Sequence, residues 1–250
     1  MTRNRRQALE RCLELLQGAV SVIVVNNGSD DANGLEGRFP GIRLIDLPRN
    51  FGLTKALNIG IRAADAEYVL LLSPEVRLRG ADAVRLADIL ESQPEIGGVA
   101  PRLEGFAQVS ELPTPQNPNP SPRMASPGEF AACVSGQAIM VRSFFLRALR
   151  HIDERYGDFG SALELSQQIR RAGKKILIHP EVSATLGLAP EQLTGEEKSD
   201  REVGTARFLG KHHGFASMLG YLLPRTIGSF LTLRFARGVR LASLKKVDGT

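Results

Sequence analysis

Long apolar runs are missing from this chain of 250 residues. No stretch of about eighteen apolar residues is free of charge, so no membrane-spanning helix is expected. The opening segment, MTRNRRQALERCLELLQ, carries charge throughout and lacks the apolar middle of a secretory leader. Cysteine is scarce: Cys12 and Cys133 lie far apart, which suits buried free thiols in a reducing cytoplasm and not a disulfide framework or a zinc site. His151, His179, His212 and His213 show no metal-ligand spacing with carboxylates. Acid is scarce at one end only. Residues 201–250 hold nine Lys/Arg against two Asp/Glu, a balance of +7, while the first 200 hold 23 against 25, a balance of −2. Basicity is thus confined to the tail, whereas a nucleic-acid-binding globule would carry a basic face on its body. There is no internal repeat.

What is present is ordinary for a soluble α/β chain: 42% hydrophobic and 24% charged residues, enough for a sizeable core. The spacing of Leu9, Cys12, Leu13 and Leu16 predicts a helix over 4–17, stopped by Gly18. Short β-branched or apolar runs predict buried strands at 20–25, 42–47 and 67–72, with helices at 53–64 and 81–92 between and after them. A strand at 97–103 follows. Six prolines between 107 and 129 (Pro113, Pro115, Pro118, Pro120, Pro122 and Pro127) predict a long structureless loop. Beyond it come a strand at 138–142, helices at 143–149 and 161–172, and a strand at 175–180. Strands alternating with helices predict a mainly parallel, Rossmann-like sheet covered on both faces. The texture changes near 205, giving a main domain over 1–204 and a basic, amphipathic helical tail over 205–250. Pro224 is expected to split that tail into shorter helices. Its arginines alternate with Phe230, Leu233, Phe235 and Leu241, which suits either an anionic membrane surface meeting 213–246 or a helix packed on the domain.

Several motifs then line up with one family. VIVVNNGSDD (22–31) is similar to the V-I-V-V-D-N-G-S-x-D segment of family 2 glycosyltransferases, and PRNFGLTKALNIGIRAA (48–64) to their P-x-N-x-G-x-x-x-A-x-N-x-G-I motif. EYVLLLSPEV (67–76) stands where they carry a D-x-D sequence. SGQAIMVRSFF (135–145) and residues 151–182 resemble their acceptor-side half. The resemblance covers about residues 5–190, and its motifs keep their order and spacing. It implies the GT-A nucleotide-diphospho-sugar transferase fold, with a donor site at the carboxyl ends of the strands, where such sheets bind ligands.

By that resemblance Asn26, Asn27, Gly28, Ser29, Asn50, Gly52, Lys55, Asn58, Ser73 and Glu75 would bind the nucleotide sugar. Mg²⁺ or Mn²⁺ would sit on its diphosphate, with Glu75 the candidate metal ligand. The partners implied are a nucleotide-sugar donor and a glycan or lipid-linked acceptor; nucleic acid is not among them. The location implied is cytoplasmic, with attachment to the inner face of the membrane through the tail. In texture the chain comes nearest to rhamnosyltransferase-like members.

It also departs from the pattern. The family's opening strand is absent from this sequence, either through loss or through a start codon set too late. Asn26 and Ser73 stand where the family has acids, and Ser161-Ala162 replace its Glu-Asp pair. Asp158 and Glu164 are the carboxylates left to serve as a catalytic base. For most of these residues a plainer role competes: Asn27, Gly28 and Ser29 as a turn, Asn50 and Gly52 shaping a helix entry, Lys55 solvated, Glu164 a solvated or capping acid. Hexosyl transfer with weakened activity, and a catalytically inactive pseudoenzyme kept for binding or scaffolding, both follow from this balance.

Overall fold

A computed structural model describes residues 1–149, 151–157, 159–187 and 195–244. Helix α1 (Arg6–Leu16) buries Leu9, Cys12, Leu13 and Leu16, the stripe its spacing predicts. β1 (Ile23–Asn27), α2 (Leu35–Arg38), β2 (Arg43–Leu47), α3 (Leu53–Ala63) and β3 (Tyr68–Leu72) follow, and then β4 (Val76–Arg77), α4 (Gly80–Ser92) and β5 (Ile96–Glu104). The proline-rich stretch carries β6 (Val109–Ser110) and leads to β7 (Phe130–Ala131) and β8 (Cys133–Val134). β9 (Ala138–Arg142), α5 (Ser143–Ala148), α6 (Ser161–Arg171) and β10 (Lys175–Leu186) complete the sheet region. The chain ends in α7 (Gly195–His213), α8 (Phe215–Leu231) and α9 (Phe235–Ser243); α7 spans both sides of the 204–205 division.

The α/β architecture is a central sheet flanked by helices. Strand directions are more mixed than the apolar runs alone suggest. β1–β2 and β5–β10 are parallel ladders, but β3–β9, β5–β9, β10–β4 and β10–β7 are antiparallel. A short strand reads as an apolar run in either direction, so the sequence pattern could not separate the two. β3 is also not a ladder neighbour of β1. It pairs with β9 in the main sheet, ordered β3-β9-β5-β10-β4, while β1 and β2 form a sheet of their own.

Two apolar layers enclose the main sheet. One packs α6 against it through Leu165 and Ile169 over Val141, Ile176 and Ile178. The other packs α4 and part of α1 through Leu86, Leu90 and Leu16 over Val99, Met140 and Leu177. Leu9 and Leu13 of α1 turn instead to Val24, Leu35 and Phe39.

Loop 107–129 is more ordered than its prolines suggest. Gln108 is buried and bonds Leu103 N–H and the Pro101 carbonyl, and Arg123 exchanges backbone hydrogen bonds with Val109. Pro224 does not split the tail. α8 runs through it, and the breaks fall at Gly214 and at 232–234. Pro224 and Gly220 are both exposed, so water can satisfy the Gly220 carbonyl that loses its partner. Among the described residues no helix is long and apolar enough to cross a membrane.

Candidate functional site

The carboxyl ends of β1 and β2 form one rim. Asn26 is fully buried there; its amide donates to Asp46 Oδ1 at 2.8 Å and to the Ser29 carbonyl, while Ser29 Oγ donates to Asn26 Oδ1 at 2.7 Å. An aspartate at 26 would face the Asp46 carboxylate with no proton between them, so this pairing explains the asparagine. Asn27 Nδ2 donates to Asn50 Oδ1 at 2.7 Å, and Asn27 Oδ1 accepts from Phe51 N–H at 2.8 Å. Asn50 Oδ1 also accepts from Gly52 N–H at 2.8 Å, and Gly52, at φ +80°, leads into α3. Gly28, at φ +71°, is pressed onto this second loop: a Cβ there would lie 2.3 Å from the Arg49 carbonyl carbon. The glycine is therefore required both for its backbone angle and for the close approach.

Cations stand over this rim. Arg49 and Lys55 flank the Phe51 ring, with guanidinium carbon and ammonium nitrogen 5.1 and 4.8 Å from its centroid. Neither makes an ion pair among the described residues, and Lys55 belongs to the first turn of α3, where free backbone N–H groups favour anions. Arg49 lies inside the 48–64 segment at a position that the P-x-N pattern leaves open, so the motif gives no signal for it.

A second network joins β1 to the end of β3. Thr2 forms a parallel bridge with Asn26, and its hydroxyl donates to Asp31 Oδ2 at 2.6 Å. Arg5 N–H donates to the same oxygen at 2.8 Å, and Arg5 Nε lies 3.2 Å from Glu75. Ser73 Oγ in turn donates to Glu75. Asn26 and Glu75 thus belong to one connected rim through Thr2, Asp31 and Arg5. Asp31 and Arg5 were also missed, although Asp31 closes the quoted 22–31 segment.

This donor set does not fit a divalent cation. Glu75 is shared between a guanidinium and a hydroxyl, Ser73 and Asn26 are uncharged, and among the described residues no three His, Cys, Asp or Glu side chains gather to hold a metal. Asn58 is placed elsewhere. It is buried, donates to the Ile152 carbonyl at 2.7 Å and to Glu154, and accepts from Ile152 N–H at 3.0 Å, so it pins the 152–154 turn to α3 and does not face the rim.

Glu164 overturns the expectation of a solvated acid. It is 2% exposed and held by four donors: Tyr156 Oη at 3.1 Å, Gln168 Nε2 at 2.6 Å, Lys211 Nζ at 2.7 Å and His212 Nε2 at 2.8 Å. Burial works against its charge, yet Lys211, Gln168 and His212 hold its carboxyl below the usual range. A carboxylate whose lone pairs are all engaged cannot take a proton from a substrate hydroxyl. Lys211 also reaches Asp153 at 2.7 Å, and Arg155 and Lys211 outweigh burial to keep that acid well below its ordinary value. Asp153, Glu154, Glu164 and Lys211 border a polar cavity of about 360 Å³. Asp158, the other candidate base, lies outside the described residues. Ser161 and Ala162 face the Ser135-Gly136 turn, where Ala162 Cβ would lie 3.5 Å from a Cβ on Gly136; among the described residues no acid lines that point.

Residues 1–98 match the family model for glycosyl transferase family 2. No curated protein matches the chain. Solved glycosyltransferases share the fold at low identity. GalNAc-T7 with UDP, GalNAc and Mn²⁺ superposes with TM-score 0.63 and 14% identity over 76% of this chain and 41% of its own. The chain therefore spans about two fifths of that protein. The mannosyltransferase PcManGT from Pyrobaculum calidifontis, with GDP-Man and Mn²⁺, gives 0.58 and 15% over 97% and 82%. S. aureus TarS 1–349 with UDP-GlcNAc gives 0.61 and 14% over 96% and 77%. The fold is that of the GT-A glycosyltransferases.

Proposed function

We propose that this chain binds a nucleoside-diphosphate sugar at the carboxyl ends of β1, β2 and β3, as a family 2 glycosyltransferase homologue whose transfer activity is weakened. The observation that carries the reading is the pair of cations Arg49 and Lys55, without ion-pair partners among the described residues, at the α3 N-terminus beside the Asn27–Asn50 tie. Two cations and a helix N-terminus suit a diphosphate, and the family match, over residues 1–98, includes both of them. The donor would be a hexose nucleotide, and the acceptor a glycan or a lipid-linked sugar.

A catalytically inactive binding module is the second reading, favoured by the fate of the acids. Glu75 is tied to Arg5, Glu164 is saturated, and Ser161-Ala162 carry no charge. Loss of a general base costs roughly 10²–10⁴-fold in rate. A thermal-shift screen of nucleoside diphosphates and their sugars, with and without Mg²⁺ or Mn²⁺, tests the donor site: a true ligand at a hundredfold excess over its Kd stabilises by about 2.7 kcal/mol. Absence of any shift removes the donor reading. Turnover at an ordinary rate of about 1–10³ s⁻¹ removes the weakened one.

The tail would serve a lipid-linked acceptor by resting on anionic membrane. Leu233 is 75% exposed and Phe235 56%, with Phe215, Ile227 and Leu231 also exposed along α8 and its ends. Leu241, expected to dip into lipid, is instead buried against Val203, Leu209 and Tyr221. Sedimentation with phosphatidylglycerol vesicles at low and high salt tests this: salt-reversible binding supports it, and no binding at low salt removes it.

A further inference from the structure

Three polar side chains stand at the carboxyl ends of β1 and β2: Asn26, Asn27 and Asp46. Two of them are closed to a ligand. Asn26 is fully buried; its amide hydrogens are engaged by Asp46 Oδ1 and the Ser29 carbonyl, and its oxygen accepts from Ser29 Oγ. Asn27 is buried too, tied at both ends of its amide to Asn50 and Phe51. Asp46 is different. It lies opposite Asn26 in the ladder, is exposed, and engages Oδ1 alone, in the 2.8 Å bond from Asn26. Among the described residues no other group reaches its carboxylate. Arg49, three residues further on, lies over Phe51 instead.

A diphosphate at the start of α3 puts its nucleoside within reach of this carboxylate. Asp46 is three residues from Arg49, so their backbones lie within about 11 Å of each other, a span that a nucleoside covers from its own phosphate. Toward α6, by contrast, the pocket lined by Leu53, Leu57, Ser135 and Ala162 holds only about 30 Å³. That is room for about two waters and not for a nucleobase. The rim of β1 and β2 is the open side, and Asp46 is the polar side chain it presents.

We infer that Asp46 reads the nucleobase and selects guanine, so that the donor is a guanosine-diphosphate sugar. The inference rests on the donor reading and names its nucleotide. A carboxylate only accepts hydrogen bonds. The Watson–Crick edge of guanine offers two adjacent donors, N1–H and the 2-amino group, which match the two carboxylate oxygens in a bidentate, charge-assisted pair. Oδ1 has a second lone pair for this while it holds the Asn26 amide. Uracil offers one donor, N3–H, between two carbonyl oxygens that a carboxylate repels. Adenine and cytosine offer one amino group beside an acceptor nitrogen, with the same conflict. Asn26 acts as a positioning residue, because its amide fixes one oxygen of the reading carboxylate.

The test is calorimetric titration of GDP, inosine diphosphate, UDP and inorganic pyrophosphate into the whole chain and into Asp46→Asn. Inosine diphosphate differs from GDP only in lacking the 2-amino group. An asparagine at 46 can still accept the Asn26 amide, but it turns one acceptor into an N–H donor, an edge that suits uracil and opposes guanine. The parent should bind GDP most tightly, with inosine diphosphate and UDP each at least about tenfold weaker. In Asp46→Asn the melting temperature without nucleotide should be unchanged, GDP should weaken at least about tenfold, and its lead over UDP should vanish. If the nucleotides bind but GDP is no tighter than inosine diphosphate or UDP, the guanine assignment is overturned and the donor reading stands. A GDP preference that survives Asp46→Asn overturns the role of Asp46 in the same way. Binding of neither pyrophosphate nor any nucleotide removes both.

Discussion

The Arg5 guanidinium lies 3.2 Å from the Glu75 carboxylate, tying the acid after β3 to the turn that leads into α1. A cation that needs Glu75 must displace Arg5. Both side chains are part-exposed, so the pair contributes at most ~1 kcal/mol. Arg5→Gln should therefore raise Mn²⁺ affinity only severalfold, read by calorimetry with MnCl₂. Unchanged affinity would mean that Glu75 is not a metal ligand even when released.

Asn58 separates structure from ligand binding. Asn58→Ala strips both backbone hydrogen bonds of Ile152 and leaves buried groups unpaired, which costs about 1–3 kcal/mol each in desolvation at most. The urea midpoint should fall clearly with little change in slope. Nucleotide affinity should stay within experimental error of the parent; a large loss would return Asn58 to the donor site.

Gly28→Ala should destabilise the chain and disturb the rim together. The added methyl would meet the Arg49–Asn50 backbone at 2.3–2.6 Å and strain a positive φ, a combination that costs more than the ~1 kcal/mol of a left-handed angle alone. A melting temperature equal to the parent's would show that the two loops can part freely.

Stability should fall with acid in two stages. Burial lowers His212 and His179 below their ordinary values, and His179 Nδ1 already accepts the Glu181 and Val182 amides at 3.0 Å. The unfolded chain therefore takes up protons near pH ~6.5 that the folded chain refuses, and stability drops as pH falls below that value. Glu164 and Asp153 are also lowered, so their contribution is present above the ordinary carboxylate range and is lost as pH falls through their folded values. Melting temperatures from pH ~8 to ~3 should be flat and then descend; a rise between pH ~7 and ~5.5 would contradict the assignment of neutral, buried histidines.

Local signals carried most of the fold. The stripe Leu9, Cys12, Leu13, Leu16, the β-branched run into Asn26 and the turn glycine Gly28 each act within a few residues, and each element formed close to where its pattern lies. Strand partners were not legible, because β3 reads the same whether β1 or β9 lies beside it. The same limit applied at the site. The sequence alone points to a solvated or capping Glu164, because Lys211 and His212, which enclose it, lie more than forty residues further along the chain. Arg5 was invisible for a like reason: its partner Glu75 is brought to it by the sheet.

The central claim is that Arg49, Lys55 and the start of α3 receive a diphosphate. Calorimetric titration of UDP and GDP into the parent chain and into the Arg49→Ala/Lys55→Ala double variant tests it most directly. Both side chains lie over Phe51 at the protein surface or half-buried, so the fold should survive their loss. The account predicts saturable binding of at least one nucleotide by the parent and a loss of about tenfold or more in the variant, some 1.4 kcal/mol. Binding by neither nucleotide, or equal binding by parent and variant, would contradict it.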